Sequence, residues 1–178
     1  MRTRTLILMT IAMSCVSTVA CAQTRPIQDL VSVVNSRNNI GHEVAASKFS
    51  SRRPIEDPVR EAKVLADIRA KAEMRGLHAD AVGTFYEQLI EANKLVQYVD
   101  FNTFQLLTWP PRAVPLDALR VRIDALDQMV LDLWPQVQPV RESADCARTL
   151  ARAIRLQPLQ QQTALVRAFV GFCPIPAD

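Results

Sequence analysis

The thirteen residues YEQLIEANKLVQY, positions 86–98, place Tyr86, Leu89, Ile90, Ala92 and Val96 at intervals that share one side of a helix turning about 100° per residue. Asn93 and Gln97 fall inside the same apolar arc, one turn apart. Leaving a buried amide without a partner costs about 1–3 kcal/mol, so this pair must be hydrogen-bonded to something. The pattern predicts a long helix over about Asp80 to Phe101 with one face in a core and two amides set into that face.

Helical periodicity continues on both sides of this stretch. Glycine is scarce, β-branched alternation is absent, and apolar residues recur at three and four, which predicts an all-α single-domain bundle of about six helices. A first helix is expected from Ile27 through Arg37, loosened at Asn38, Asn39 and Gly41, followed by a turn-rich piece over Val44 to Phe49. Pro54 breaks the pattern. Asp57-Pro58 then reads as an N-cap with proline in the first helical position, and Gly76 as the stop. Trp109-Pro110-Pro111 and Pro115 form a connector. After it Leu116, Leu119, Ile123, Leu126, Val130 and Leu133 predict a core-facing helix ended by Pro135. A final helical pair is expected between Ala144 and Phe172, joined near Pro158.

The N-terminus has a different character. Arg2 and Arg4 precede the apolar run Leu6 to Met13, and Ala20-Cys21-Ala22 has the small-x-small form of a cleavage site. Residues 1–22 therefore read as a cleaved secretory signal, too short to span a membrane, and residues 23–178 as the mature domain. Lipid attachment at Cys21 is disfavoured, because Thr18-Val19-Ala20 lacks the usual leucine. Removing the signal takes the formal charge from +3 to +1 and two of the four cysteines with it. No nucleic-acid polycation remains. Cys146 and Cys173, left as a pair in an oxidising compartment, predict a disulfide.

Common catalytic chemistries find little support. His42 and His78 are far apart and lack free cysteine partners, so no metal site is indicated. Gly41, Gly76, Gly83 and Gly171 form no phosphate loop, and no serine lies in a nucleophile-elbow context. What remains is cations and amides. Arg37, Lys48 and Arg60 are spaced by eleven and twelve residues, about three helical turns each, with Glu61 beside Arg60. Taken singly, each cation fits a solvated surface, and Arg120 with Asp124 fits an exposed i,i+4 pair. Arg60 near a helix start opposes the helix dipole, which favours an anion partner. Arg52 and Arg53 are read as surface cations.

In "KFSSRRPIEDPVRE", residues 48–61, and "YEQLIEANKLVQY" the chain resembles the all-helical chorismate mutases, specifically their exported gamma subclass, over about Leu30 to Cys173. The resemblance implies a cofactor-free enzyme converting chorismate to prephenate, periplasmic or secreted, with no metal, no nucleic acid and no membrane association after signal removal. It also implies a homodimer with a complete site in each chain. Arg37, Lys48 and Arg60 match the family's arginine, lysine and arginine, Asn93 and Gln97 its polar residue and following Gln or Glu, and Arg120, ahead of Arg122, its further arginine. Glu61 fits the carboxylate that some members aim at the substrate hydroxyl and other exported members lack. Val64 stands where some secreted relatives carry glutamine.

The implied rearrangement breaks a C–O bond as a C–C bond forms, without proton transfer or redox change. Catalysis then lies in holding the compact conformer and stabilising charge on the ether oxygen. Arginines suit the two carboxylates through bidentate donation. Lys48 and Gln97 would donate to the ether oxygen, Asn93 would bond near a carboxylate, and Glu61 would accept from the ring hydroxyl. Two alternatives share these cations: an isochorismate pyruvate-lyase on the same fold, and a non-catalytic helical anion- or partner-binding module.

Overall fold

The structure, a computed structural model, describes residues 17–106 and 111–174. Within them lie six helices and no strand: α1 (Ser17–Ser50), α2 (Pro58–Met74), α3 (Ala79–Phe104), α4 (Leu116–Arg141), α5 (Cys146–Arg155) and α6 (Leu159–Ala168). The all-α expectation holds. Most of the predicted signal, residues 1–16, and Trp109 and Pro110 of the connector lie outside the described residues.

α1 is the axis of the bundle, packed along both α3 and α4, while α2 and α6 pack on α3. The expected break near Asn38–Gly41 is absent, and α1 runs unbroken to Ser50. Gly41 serves close approach: a Cβ there would stand 2.9 Å from Asn93 Nδ2 and 3.2 Å from Val96. The glycine lets α1 and α3 cross tightly enough for their polar groups to meet.

α1 ends in a left-handed turn at Arg52, φ 55°. Arg53 N–H bonds the Lys48 carbonyl at 2.9 Å and Arg52 N–H the Phe49 carbonyl at 3.2 Å. These are the two bonds of a Schellman cap, which glycine more often completes. Gly76, φ 68°, closes α2 in the same way, with Gly76 N–H on Glu73 and Leu77 N–H on Ala72. At the other end of α2, the Asp57 side chain accepts from Arg60 N–H at 3.1 Å and the Glu61 side chain accepts from Asp57 N–H at 3.2 Å, a reciprocal cap.

α4 does not stop at Pro135 and continues to Arg141 with Pro135 and Pro139 inside it. A proline in a helix interior costs about 3 kcal/mol. Beyond it α4 still buries Val137 and Val140, after Trp134 at the same turn. Such burial stabilises by about 1.5–3 kcal/mol per large apolar side chain, enough to carry the helix through. Phe85, Trp134, Phe169 and Phe172 form one aromatic cluster, their neighbouring rings 5.2–6.1 Å apart. Arg141 lies over Trp134 at 4.5 Å and bonds the Phe172 carbonyl at 3.2 Å. The Cys146–Cys173 disulfide joins the start of α5 to the segment after α6, and α5 and α6 meet at Pro158, which stands at the start of α6, both as expected.

Candidate active site

Between α1, α2, α3 and the start of α4 lies a cavity of about 410 Å³, within the range of small-ligand sites. All seven residues singled out in the sequence line it: Arg37, Lys48, Arg60, Glu61, Asn93, Gln97 and Arg120. Side chains separated by up to 83 positions in the chain therefore face one space. Arg53, read from sequence as an outward cation, is exposed and yet lines the mouth of the cavity; Arg52 does not line it.

Arg37, on the inward face of α1, is 5% exposed. Its Nε donates to Asp127 at 2.9 Å and its Nη1 to the Leu89 carbonyl at 3.3 Å. Of the five guanidinium N–H groups, these bonds engage two and fix the plane in which the others point. Tyr86 donates to the backbone carbonyl of Asp127 at 3.0 Å and buttresses the same corner. Sequence reasoning passed over Asp127. A buried acid inside the 3-4 apolar repeat of α4 was the signal that could have found it, since a carboxylate there needs a cation.

Asn93 and Gln97, from the opening stretch, satisfy each other in part. Asn93 Nδ2 donates to the Arg37 carbonyl at 3.1 Å and Gln97 Nε2 donates to Asn93 Oδ1 at 2.9 Å. The chain of bonds fixes the amide orientation. It leaves the second Nε2 hydrogen of Gln97, and an Oε1 that has no partner among the described residues, unengaged by protein.

Lys48, on the last turn of α1, donates to the Ile55 carbonyl across the turn that follows. Burial pulls its pKa below the ordinary lysine value, and the carboxylates of Asp57, Glu61 and Glu56 oppose that pull while Arg120 adds to it. Among the described residues neither Lys48 nor Arg60 has a carboxylate within ion-pair distance. Arg120 is paired with Asp117 at 2.7 Å instead of Asp124, which itself lines the cavity. Arg122 is drawn away by Glu43 at 2.7 Å. Glu61 is tied to Lys94 at 3.3 Å. Val64, Ile90, Leu116, Leu119 and Ile123 supply apolar wall. Lys94, also missed in the sequence, sits beside Asn93 in the wall.

A bundle that converges guanidinium, ammonium and amide donors on one small cavity, with apolar walls, is suited to hold a compact polyanion. The chain belongs to the all-helical chorismate mutase family. A family model described as chorismate mutase type II matches residues 28–98. A secreted chorismate mutase of Mycolicibacterium smegmatis is 30% identical over 131 residues, 72% of this chain and 72% of that protein. One of Mycobacterium tuberculosis is 28% identical over 159 residues, 84% of this chain and 79% of that protein. The crystal structure of a chorismate mutase from Burkholderia phymatum superposes with a TM-score of 0.78 at 29% identity, covering 86% of this chain and 99% of that one.

Proposed function

We propose that this protein is an exported chorismate mutase that rearranges chorismate to prephenate, and that Arg37, Lys48, Arg60, Glu61, Asn93, Gln97 and Arg120 bind the substrate. The observation that carries the site assignment is the pair Lys48 and Arg60, two cations lining a 410 Å³ cavity with no carboxylate in ion-pair contact among the described residues. Charges left this way are stabilised by an anionic ligand, and chorismate brings two carboxylates.

The reaction needs no proton donor or acceptor. Arg37 and Arg60 take the carboxylates, Arg37 with the N–H groups that Asp127 and Leu89 leave to it. Lys48 and the free Nε2 hydrogen of Gln97 donate to the ether oxygen as the C–O bond lengthens. The apolar wall excludes water and strengthens those bonds. Glu61 accepts from the ring hydroxyl, and Asn93 holds Gln97 in register. Arg120 closes the α4 side.

Residues 1–22 are proposed to be removed as a signal, in keeping with relatives named as secreted. Pro26 supports this. It lies inside α1 as the helix runs from Ser17, but after cleavage behind Ala22 it would fall in the first turn, where proline is tolerated. The proposed destination is the periplasm or the medium, and the proposed assembly a homodimer.

The test is loss of chorismate absorbance with purified mature protein, with prephenate and pyruvate measured separately. Turnover to prephenate without pyruvate is expected. Lys48→Ala should lower kcat/KM by about 10²–10³, the usual cost of one donor to a developing oxyanion. Pyruvate as the product, or an undiminished Lys48→Ala rate, would overturn the assignment.

A further inference from the structure

A second lysine lines the same cavity as Lys48, in a cluster of which the proposed reaction uses only Glu61. Lys94 is 8% exposed, lines the cavity, and reaches Glu91 at 2.6 Å, Glu56 at 2.8 Å and Glu61 at 3.3 Å. The three acids come from three elements: Glu91 from α3, Glu61 from the first turn of α2, and Glu56 from the strap of residues 51–57 that joins α1 to α2. Tyr98, one turn along α3, donates to the other Glu56 oxygen at 2.8 Å. Arg167 of α6 stands 3.9 Å from Glu91, and Asp57 N–H holds the other Glu61 oxygen. Burial alone would lower the Lys94 pKa, but the bonds to Glu56, Glu91 and Glu61 outweigh it and hold the ammonium charged well past the ordinary lysine range.

The arrangement resolves an electrostatic conflict. The ionisable lining of the cavity carries six cations against four carboxylates, and two of those carboxylates, Glu56 and Glu61, are bonded to Lys94. Removing the ammonium would halve the net positive charge of the lining and leave both acids uncompensated. A substrate with two carboxylates would then approach an acidic wall, and like charges at close range weaken binding strongly. The same bond helps tie down the strap, together with buried Ile55, Lys48 on the Ile55 carbonyl, Tyr98 on Glu56 and the Asp57 cap of α2. We infer that Lys94 is a positioning residue for this site, its ammonium neutralising and orienting Glu61 and Glu56 so that a carboxylate-bearing wall can face a dianionic substrate. The inference rests on the mutase reading and adds to it the way Glu61 can offer an acceptor to a hydroxyl without repelling the rest of the molecule.

The experiment compares the wild-type mature protein with Lys94→Gln, Lys94→Arg and the double variant Lys94→Gln/Glu56→Gln, measuring kcat and KM for chorismate between pH 5 and 8 alongside thermal unfolding. Lys94→Gln should raise KM about tenfold at pH 7.5, with kcat changed less than about threefold. Without the ammonium Glu56 loses the main bond that holds its carboxyl below the usual glutamate range, so the defect should shrink toward pH 5 as Glu56 begins to take up a proton. Adding Glu56→Gln should bring KM back to within about threefold of wild type, and Lys94→Arg should behave nearly as wild type. A Lys94→Gln KM within about twofold of wild type would overturn the inference. So would a defect independent of pH and unrelieved in the double variant, which would mark a role in folding alone. Wild-type protein inert toward chorismate would overturn the mutase reading itself, a result distinct from an active wild type with indifferent Lys94 variants.

Discussion

Replacing Gln97 by glutamate isolates what the amide contributes. Gln97 is 3% exposed and gives one Nε2 hydrogen to Asn93 Oδ1 at 2.9 Å; the proposed mechanism assigns the other to the ether oxygen. A protonated glutamic acid has a single O–H and can serve only one of these acceptors. The loss of one net hydrogen bond, about 0.5–1.5 kcal/mol, predicts a rate about 2- to 12-fold below wild type even in acid. Once ionised, the side chain donates nothing and sets a carboxylate oxygen against Asn93 Oδ1. Asn93 could relieve that clash by turning its amide, but its Nδ2 would then leave the Arg37 carbonyl, now 3.1 Å away. Loss of the oxyanion donor alone is worth about 10²–10³ in kcat. Gln97→Glu should therefore be at least about tenfold slower at pH 8 than at pH 5, while the wild type stays nearly flat over that range, since glutamine donates at any ordinary pH. The assay is initial loss of chorismate absorbance under saturating and limiting substrate in buffers of constant ionic strength. A variant equally active at both pH values, or a wild-type profile falling steeply above about pH 6, would refute the reasoning.

Three further outcomes are expected. Asp127→Ala, which strands Arg37 in the core, should destabilise by about 3–5 kcal/mol and lower Tm by about 10 °C, with weakened substrate binding; an unchanged melting curve would remove Asp127 as the anchor. Reducing Cys146–Cys173, whose partners are 27 positions apart, should cost about 3–4 kcal/mol on the chain-entropy model, seen as a lower Tm in reductant. Activity at low temperature should persist, because neither cysteine lines the cavity. Lys94 and then Tyr98 hydrogen-bond Glu56 and hold its carboxyl below the usual glutamate range. Its folded pKa thus lies below the unfolded one, so its contribution is complete above about pH 4.5 and is lost as pH falls through the folded value. The Tm gap between wild type and Glu56→Gln should close on acidification through that window and stay constant above it.

The fold was legible because helices announce themselves locally. The stripe around Tyr86 and Leu89, the Asp57-Pro58 start and the Gly76 stop depend on neighbours within one or two turns, and the structure keeps all three. Local rules failed where packing overrode them, at Pro135 and at Asn38–Gly41, because burial over a whole helix outweighs one unfavourable residue.

The sequence by itself determined that the chain is helical, that Cys146 and Cys173 should pair, and which cations and amides repeat the spacing of a known family. Only the tertiary structure decided which charges are already neutralised. Arg37 is held by Asp127, Lys94 by three glutamates and Arg120 by Asp117, while Lys48 and Arg60 face the cavity without such a partner among the described residues. The difference arises because helix periodicity is a property of adjacent residues, whereas ion pairing depends on distances of a few ångströms between side chains that the chain order leaves far apart.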